Sequence, residues 1–202
     1  MEAVVVIVAV VLAAAAGVAF ARRRGAAGDT GGRRRELPPL RSPEDEQRAL
    51  HGDVRRLAPG DAVSYEGTDF LVDRTMRFDQ GGYAWKEHLL SDAVSGRRMW
   101  LSVEEDDGLE VAVWERVPEP DVEPGPAELT YDGRAYERQE RGSARFRTEQ
   151  TGGGAGESGT MEYVEYAAGE RLLVFERYGT GAWEVSTGRA ISEHLLDVYP
   201  RG

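Results

Sequence analysis

The stretch RRMWLSVEEDDGLEVAVWERV, Arg97–Val117, carries the clearest fold signal in the chain. Apolar and polar residues alternate on both sides of Asp106-Asp107-Gly108, and alternation around an Asp-Gly turn is typical of a β-hairpin. Two earlier stretches have the same pattern. AVSYEGTDFLVDR, residues 62–74, predicts a hairpin that turns at Glu66-Gly67, and YAWKEHLLSD, residues 83–92, predicts a further strand. The sequence therefore predicts an all-β body of antiparallel strands.

The strand pattern begins again after a proline-rich stretch. LTYDGRAYERQERGSARF, residues 129–146, aligns with VSYEGTDFLVDRTMRF, residues 63–78, and Trp85-x-Glu87 then aligns with Tyr163-x-Glu165. The shared order of these matches indicates an internal duplication of one β unit. The predicted segments are a short helix plus first β unit (43–117), a Pro-rich linker (118–127) and a second, divergent β unit (128–202). The two units can form one barrel-like body or two small packed sheets, and the sequence leaves both open.

The N-terminal residues predict one transmembrane helix in front of this body. Ala3–Ala21 is an uncharged run that would span about 28 Å as a helix, close to the thickness of a bilayer core. Arginines 22–24 follow it, so the predicted segment is 1–24, with the N-terminus outside and the body in the cytoplasm. Residues 25–42 are rich in Gly, Pro and charge and predict a flexible basic linker. The alternative is a secreted protein cleaved after Ala21.

Composition excludes several classes of function. Residues 1–35 carry a net charge of +4 within a chain of −11, so the body is strongly acidic and would repel nucleic acid. The chain has no cysteine, which rules out a disulfide framework or a thiolate metal site. It also lacks a phosphate-cradling loop and a Ser/His/Asp set at recognisable spacing. We therefore predict no catalytic, cofactor or metal residues.

The first β unit resembles the bacterial family called domain of unknown function 4178. The resemblance covers residues 57–117 well and 128–200 loosely. It rests on an L-x-x-G-D opening, a W-x-E strand, a W-L strand and a final aromatic strand. The family positions in this sequence are Gly60, Asp61, Trp85, Glu87, Trp100, Leu101 and Trp114, with Glu165 at the matching place in the second unit. The resemblance implies an all-β domain without an established activity. Its members' association with phage-shock-type proteins and polyamine-synthase-like enzymes implies a link to envelope or membrane stress.

Glu87 can be interpreted as a catalytic residue, a metal ligand or one half of a structural ion pair. It lies on a strand face with Tyr83, Trp85 and Leu89, where an unpaired carboxylate is costly. A catalytic role lacks a second group, and a metal role would need the two EHLL sequences, at 87–90 and 193–196, to meet. The favoured interpretation is a structural ion pair, with Arg98 or Arg74 as the expected partner of Glu87 and Arg171 as that of Glu165. The tryptophans are interpreted as core or cross-strand pairs rather than as a partner-binding surface.

These observations favour a non-enzymatic role. The prediction is a membrane-anchored cytoplasmic interaction or scaffold module that binds a protein partner, in envelope or membrane stress. The membrane would be contacted through residues 3–21. The alternative is a small-ligand-binding protein, or an enzyme, that uses a groove between the two β units.

Overall fold

The computed structural model describes residues 52–105, 108–152 and 156–201. The predicted transmembrane helix and basic linker lie outside these residues, as does most of the predicted short helix. Within the described part of the chain, no helix is long and apolar enough to cross a membrane. The described end of the predicted short helix is a single 3-10 turn, Val54–Arg56, which Asp53 caps by accepting a hydrogen bond from the Arg55 amide.

The body is all-β, as the sequence predicts. In the described residues the strands are β1 (Ala62–Tyr65), β2 (Thr68–Gln80), β3 (Tyr83–Ser91), β4 (Arg98–Glu105), β5 (Leu109–Val117), β6 (Glu128–Tyr131), β7 (Arg134–Gln150), β8 (Ser158–Ala168), β9 (Arg171–Tyr178), β10 (Glu184–Ile191) and β11 (Leu196–Tyr199). A second 3-10 turn, Glu193–Leu195, precedes β11. Each half of the body contains a short strand, a long strand and three more strands in a meander.

The two halves form one closed barrel. Eight antiparallel strands follow one another around it in the order β2-β3-β4-β5-β10-β9-β8-β7, and pairing of β7 with β2 closes the ring. Closure leaves these strands without a free edge. The seam pairs Arg74–Asp79 with Arg145–Gln150, whereas the earlier part of β2 pairs with β1. A bulge between Val72 and Arg74 marks the change of partner. Of the two arrangements left open by the sequence, the barrel is therefore the one adopted.

The tight turn predicted at Glu66-Gly67 is present, and the aligned stretch of the second unit turns in the same way. Glu66 and Gly67 have φ angles of 51° and 75°, and Asp132 and Gly133 have φ angles of 47° and 69°. Positive φ at both central residues defines a type I′ hairpin turn, for which glycine at the second position is well suited. β1 thus turns directly into β2, and β6 turns directly into β7.

In the first half of the body, strand β4 has a fully buried face and a half-buried face. On β4, Met99, Leu101 and Val103 face an apolar cluster that also contains Val63 and Phe70. The alternate residues of the same strand, Trp100, Ser102 and Glu104, face the barrel lumen. β1, β11 and the first 3-10 turn contribute to the outer cluster through residues such as Val63, Val198 and Val54. The predicted linker packs in the same way on the second half, where Val122 contacts the core cluster of Leu129 and Tyr136.

Candidate functional site

The barrel lumen contains a cavity of about 100 Å³. Side chains from β3, β4 and β5 line it on one side, and side chains from β7, β8, β9 and β10 line it on the other. The volume is enough for several waters or one small organic molecule. The lumen is therefore formed jointly by the two β units.

Carboxylates dominate the polar lining of this lumen. They belong to Glu87, Glu104, Glu110, Glu140, Glu165 and Glu176. Among the described residues that line the cavity, none is a lysine, an arginine or a histidine. The lumen thus brings several acidic side chains together, and ionised carboxylates in this setting repel one another.

Glu87 is not in the ion pair that the sequence predicts. Its Oε1 accepts a hydrogen bond of 3.2 Å from the indole Nε1 of Trp85, and its remaining accessible surface faces the cavity. No ion pair among the described residues includes Glu87. Strand register is the reason. Arg98 lies opposite Ser91 and Arg74 lies opposite Leu89, whereas Glu87 lies opposite Ser102 and Met76.

The same correction applies to Glu165. Arg171 lies opposite Ala168 at the end of its hairpin, while Glu165 lies between Glu140 on β7 and Val174 on β9. No hydrogen bond or ion pair within the described part of the chain balances the Glu165 carboxylate, and the charges that act on it are those of other glutamates. Strands β2 and β7 each contain a bulge. The residue that follows the bulge in β2 pairs with Leu89, and the residue that follows the bulge in β7 pairs with Glu165, so Glu165 corresponds to Leu89 rather than to Glu87. A displacement of two residues keeps a side chain on the same face, so both acids point into the lumen.

Burial makes these acids hold their protons more tightly than usual. It raises the pKa of Glu87 to about 7, with a smaller contribution from the charge of Glu165. It raises the pKa of Glu165 to about 8, with the nearby charge of Glu140 next in importance. The pKa of Glu176 is also raised well above its ordinary value by burial and by Glu87. Near neutral pH the lumen therefore holds protons that a small environmental change can release.

Tyr163 belongs to the same group of polar side chains. Its hydroxyl lies 2.5 Å from Oε1 of Glu140 and 2.7 Å from Oε1 of Gln80. The hydroxyl has one hydrogen to donate, so it can donate to only one of these two oxygens. A Gln80 amide turned to present its nitrogen would donate to the hydroxyl instead. Burial and the Glu140 contact both raise the pKa of Tyr163, which stays a neutral donor.

Aromatic rings form the apolar part of the lining. Trp85 stacks on Phe78 with 4.9 Å between ring centroids and meets Tyr163 edge-on at 6.0 Å. Trp100 and Trp114 are direct neighbours across β4 and β5, and Trp114 Nε1 donates a 2.9 Å hydrogen bond to Ser102. Tyr83 also lines the cavity, and its hydroxyl has no hydrogen-bond partner in the described residues. Three of the four tryptophans thus face the lumen.

Comparison with known proteins identifies the family. The model for "Domain of unknown function (DUF4178)" matches residues 58–193, which include strands of both β units. The chain belongs to this family. It is similar to the uncharacterized proteins Rv2597 and MT2673 of Mycobacterium tuberculosis and Mb2628 of Mycobacterium bovis. Each is 38% identical over 154 residues, which make up 72% of this chain and 73% of the relative. No solved structure matches significantly.

The remaining DUF4178 motif positions lie away from the lumen. Gly60 has a φ of 96° and precedes Asp61, which is buried. The Asp61 carboxylate accepts hydrogen bonds from the backbone amides of Ala58, at 2.9 Å, and Arg201, at 2.8 Å. Leu101 is fully buried in the outer cluster. These residues hold the loop before β1 and the chain after β11 against the barrel.

The two EHLL sequences of this DUF4178 domain occupy different settings. His88 is buried on the side of β3 opposite Glu87, 2.9 Å from Thr75 Oγ1, and burial lowers its pKa to about 3. Glu193 and His194 lie in the second 3-10 turn, where Glu193 pairs with Arg55. In the described ranges, no three His, Asp or Glu side chains are grouped closely enough to hold a metal ion.

Four of the six lumen glutamates are absent from the predictions made from sequence: Glu104, Glu110, Glu140 and Glu176. The sequence does contain a signal, since Trp100, Ser102 and Glu104 alternate with Met99, Leu101 and Val103. A polar strand face of this kind ordinarily lies in solvent. Only closure of the DUF4178 barrel turns it inward.

Proposed function

We propose that the DUF4178 barrel binds a small organic cation, an amine or ammonium ion, in its lumen. The observation that carries this proposal is a cavity lined by six glutamates and three tryptophans with no basic side chain among its described lining residues. This proposal corresponds to the ligand-binding alternative inferred from sequence, in which the two β units share a groove. A scaffold role with a protein partner remains a prediction.

Charge balance supports a cationic ligand. Buried carboxylates are costly unless they are protonated, hydrogen-bonded or neutralised by an opposite charge. Glu165 has no such partner among the described residues, and Glu87 has only the Trp85 indole. A bound cation would supply the missing charge and lower the pKa of the acids near it.

The aromatic lining distinguishes an organic cation from a metal ion. Faces of Trp and Tyr rings attract ammonium groups through cation–π interactions, which strengthen when water is excluded. A divalent metal instead needs several oxygen ligands at about 2.0–2.6 Å around one point. The lumen glutamates come from six different strands, and no three acids of the described chain are grouped for a metal. This dispersed arrangement suits a ligand that carries charge on an apolar frame.

Titration of the purified full chain tests the proposal. Primary amines and quaternary ammonium ions of increasing size would be added in nonionic detergent, with uncharged alcohols and carboxylates of matched size for comparison. We expect quenching or a shift of tryptophan fluorescence for the cations only, and a large loss of affinity in Glu87→Gln and Glu165→Gln. Glu170→Gln, at an exposed turn, is the matched control. Equal responses to cations and alcohols, or unchanged affinity in both lumen variants, would contradict the proposal.

We also propose that residues 3–21 anchor this barrel to the membrane, with the N-terminus outside and the barrel in the cytoplasm. The uncharged run at 3–21 and the arginines that follow it support this placement. Protease added to intact spheroplasts should leave the barrel undigested, and digestion should follow lysis. Digestion of the barrel before lysis would contradict this topology, and recovery of a chain beginning after Ala21 would indicate cleavage.

A further inference from the structure

A second cavity, of about 670 Å³, lies beside the barrel seam and has the opposite charge. Its basic lining residues are Arg55, Arg77, Lys86, Arg145 and Arg147, and its acidic lining residues are Asp79 and Glu105. We call it the seam groove. The whole chain carries a net charge of −11, so this concentration of cations is local.

The lysine of the seam groove lacks a carboxylate partner. Lys86 is half-buried, and its Nζ donates a 2.5 Å hydrogen bond to the backbone carbonyl of Arg55. No ion pair among the described residues includes Lys86. Burial, followed by the nearby charge of Arg77, lowers the pKa of this ammonium group. A partly desolvated cation that forms no direct ion pair favours an incoming anion.

The strand register also places like charges together. Arg77 on β2 lies directly opposite Arg147 on β7 in the pairing that closes the barrel. Like charges directly opposite each other on neighbouring strands are destabilising. Glu149 neutralises Arg77 at 2.6 Å, but the exposed Arg147 is in no ion pair within the described ranges. The unbalanced charge of Arg147 is therefore available to a ligand.

The aromatic residues beside the seam groove belong to the barrel interior. Side chains alternate along a strand, so Phe78, Trp85 and Phe146 point to the opposite face from the basic side chains of the same strands. Their rings pack together on that inner face, where Trp85 stacks on Phe78. The seam groove is therefore a mainly charged surface on the outer face of the barrel, which suits a compact anionic group.

We propose that the seam groove binds a phosphate group, and that the headgroup of an anionic phospholipid supplies it. Arginine and lysine at a concave site are the usual protein partners of phosphate oxygens. Assignment to a lipid rests on the membrane anchor proposed above. Arg55 lies near the beginning of the described chain, about 30 residues after the apolar run ends at Ala21. A flexible linker of that length has an average span of about 30 Å, which allows the groove to reach the bilayer.

The sequence offers a selective chemical probe of this groove. Lys86 is the only lysine in the chain, so an amine-acylating reagent has two targets: Lys86 and the α-amino group of the N-terminus. The full chain in nonionic detergent would be acylated with and without inorganic phosphate or glycerol 1-phosphate, at constant ionic strength set by chloride. We expect phosphate to slow acylation of Lys86 at least several-fold relative to the α-amino group, because a bound anion stabilises the protonated amine.

A variant establishes that the anion occupies the groove. Arg147→Gln removes an exposed charge and leaves Lys86 in place, so the labelling readout is retained. It should abolish most of the phosphate protection. Arg134→Gln changes an exposed arginine of the same strand outside the groove, and it should leave the protection intact. Equal protection in both variants, or no protection in the unaltered chain, would overturn the phosphate site.

Lipid nanodiscs identify the source of the phosphate. In discs that contain phosphatidylglycerol, Lys86 should be acylated more slowly than in discs of phosphatidylcholine alone, and Arg147→Gln should remove the difference. Protection by soluble phosphate without protection by phosphatidylglycerol would keep the phosphate site and overturn its assignment to lipid. If only the proposed membrane anchor is wrong, the protein will be found in the soluble fraction and phosphate will still protect its Lys86 from acylation.

Discussion

Trp114 on β5 occupies the space in front of Gly188 on β10, so that the two residues fit together across the junction of the two β units. A Cβ atom added at Gly188 would lie 2.6 Å from Cδ2 of the Trp114 ring. The missing side chain of one unit thus makes room for a lumen-lining tryptophan of the other. Within the second unit, Gly142 makes room for an aromatic ring in the same way, since an added Cβ would lie 2.8 Å from the ring of Tyr163.

Replacing Gly188 by alanine tests this fit. The new methyl group must displace the Trp114 indole, and overpacking of this kind typically costs about 1–3 kcal/mol of unfolding free energy. We expect Gly188→Ala to lower the melting temperature and to change the near-ultraviolet circular dichroism of the tryptophans. Gly108→Ala adds the same group at a position where, apart from its chain neighbours, no atom of the described residues lies within 4 Å. It should leave both measurements nearly unchanged. Equal behaviour of the two variants would refute the contact.

The lumen acids should make the protein less stable as the pH rises above neutrality. Burial raises the pKa of Glu87 to about 7 and of Glu165 to about 8, from 4.5 in the unfolded chain. The folded state then binds more protons than the unfolded state, so the free energy of unfolding falls with pH until these groups ionise. Burial lowers the pKa of His88 to about 3, so His88 makes the free energy of unfolding rise with pH, but only below about pH 6.5.

Between pH 6.5 and 8.5, the change in the free energy of unfolding therefore reports mainly on Glu87 and Glu165. Over this interval we expect the free energy of unfolding to fall by on the order of 2 kcal/mol. Denaturant titrations of the full chain at several pH values measure it. Glu165→Gln should reduce the slope, because a neutral amide has no proton to lose, and the exposed Glu170→Gln should not. A stability that is flat or rises between pH 6.5 and 8.5 would show that the acids are already ionised.

Binding of an organic cation should release protons from the lumen. A cation stabilises ionised Glu87 and Glu165, whose pKa values lie near neutrality in the free protein. Calorimetry at pH 7 in two buffers of different ionisation enthalpy should give different apparent binding enthalpies. Affinity should also rise from pH 6 to pH 8. Glu165→Gln should release fewer protons, whereas a binding enthalpy independent of the buffer would mean that protons are not exchanged.

Asp61 should matter for stability and not for ligand binding. Its carboxylate accepts hydrogen bonds from two backbone amides, those of Ala58 and Arg201, and it is remote from the lumen lining. Ala58 is half-buried and Arg201 is exposed, so each lost hydrogen bond costs about 0.5–1.5 kcal/mol. We expect Asp61→Ala to lower the melting temperature clearly while cation affinity at a permissive temperature is kept. Asp69→Ala, an exposed acid on β2, is the control, and loss of affinity in folded Asp61→Ala would assign Asp61 to the site.

Local sequence predicted much of the strand structure. LEVAVWERV is the strand Leu109–Val117, and the turns at Glu66-Gly67 and Asp132-Gly133 adopt the conformation that glycine at their second position favours. These features depend on neighbouring residues only. The partner of Glu87 was predicted wrongly because cross-strand register, not proximity in sequence, decides which side chains meet.

The sequence alone determined that the body consists of β-strands, where the sharp turns fall, and that an acid lies among aromatic residues on one strand face. Each of these follows from residue periodicity and backbone sterics over a few residues. Tertiary structure alone decided that Arg74–Asp79 pairs with Arg145–Gln150, some 70 residues away, and so which face of each strand becomes the inside of a barrel. An alternating strand has two faces, and nothing local distinguishes a face in solvent from one that lines an enclosed cavity. Closure made that choice, and it gathered six glutamates around one lumen.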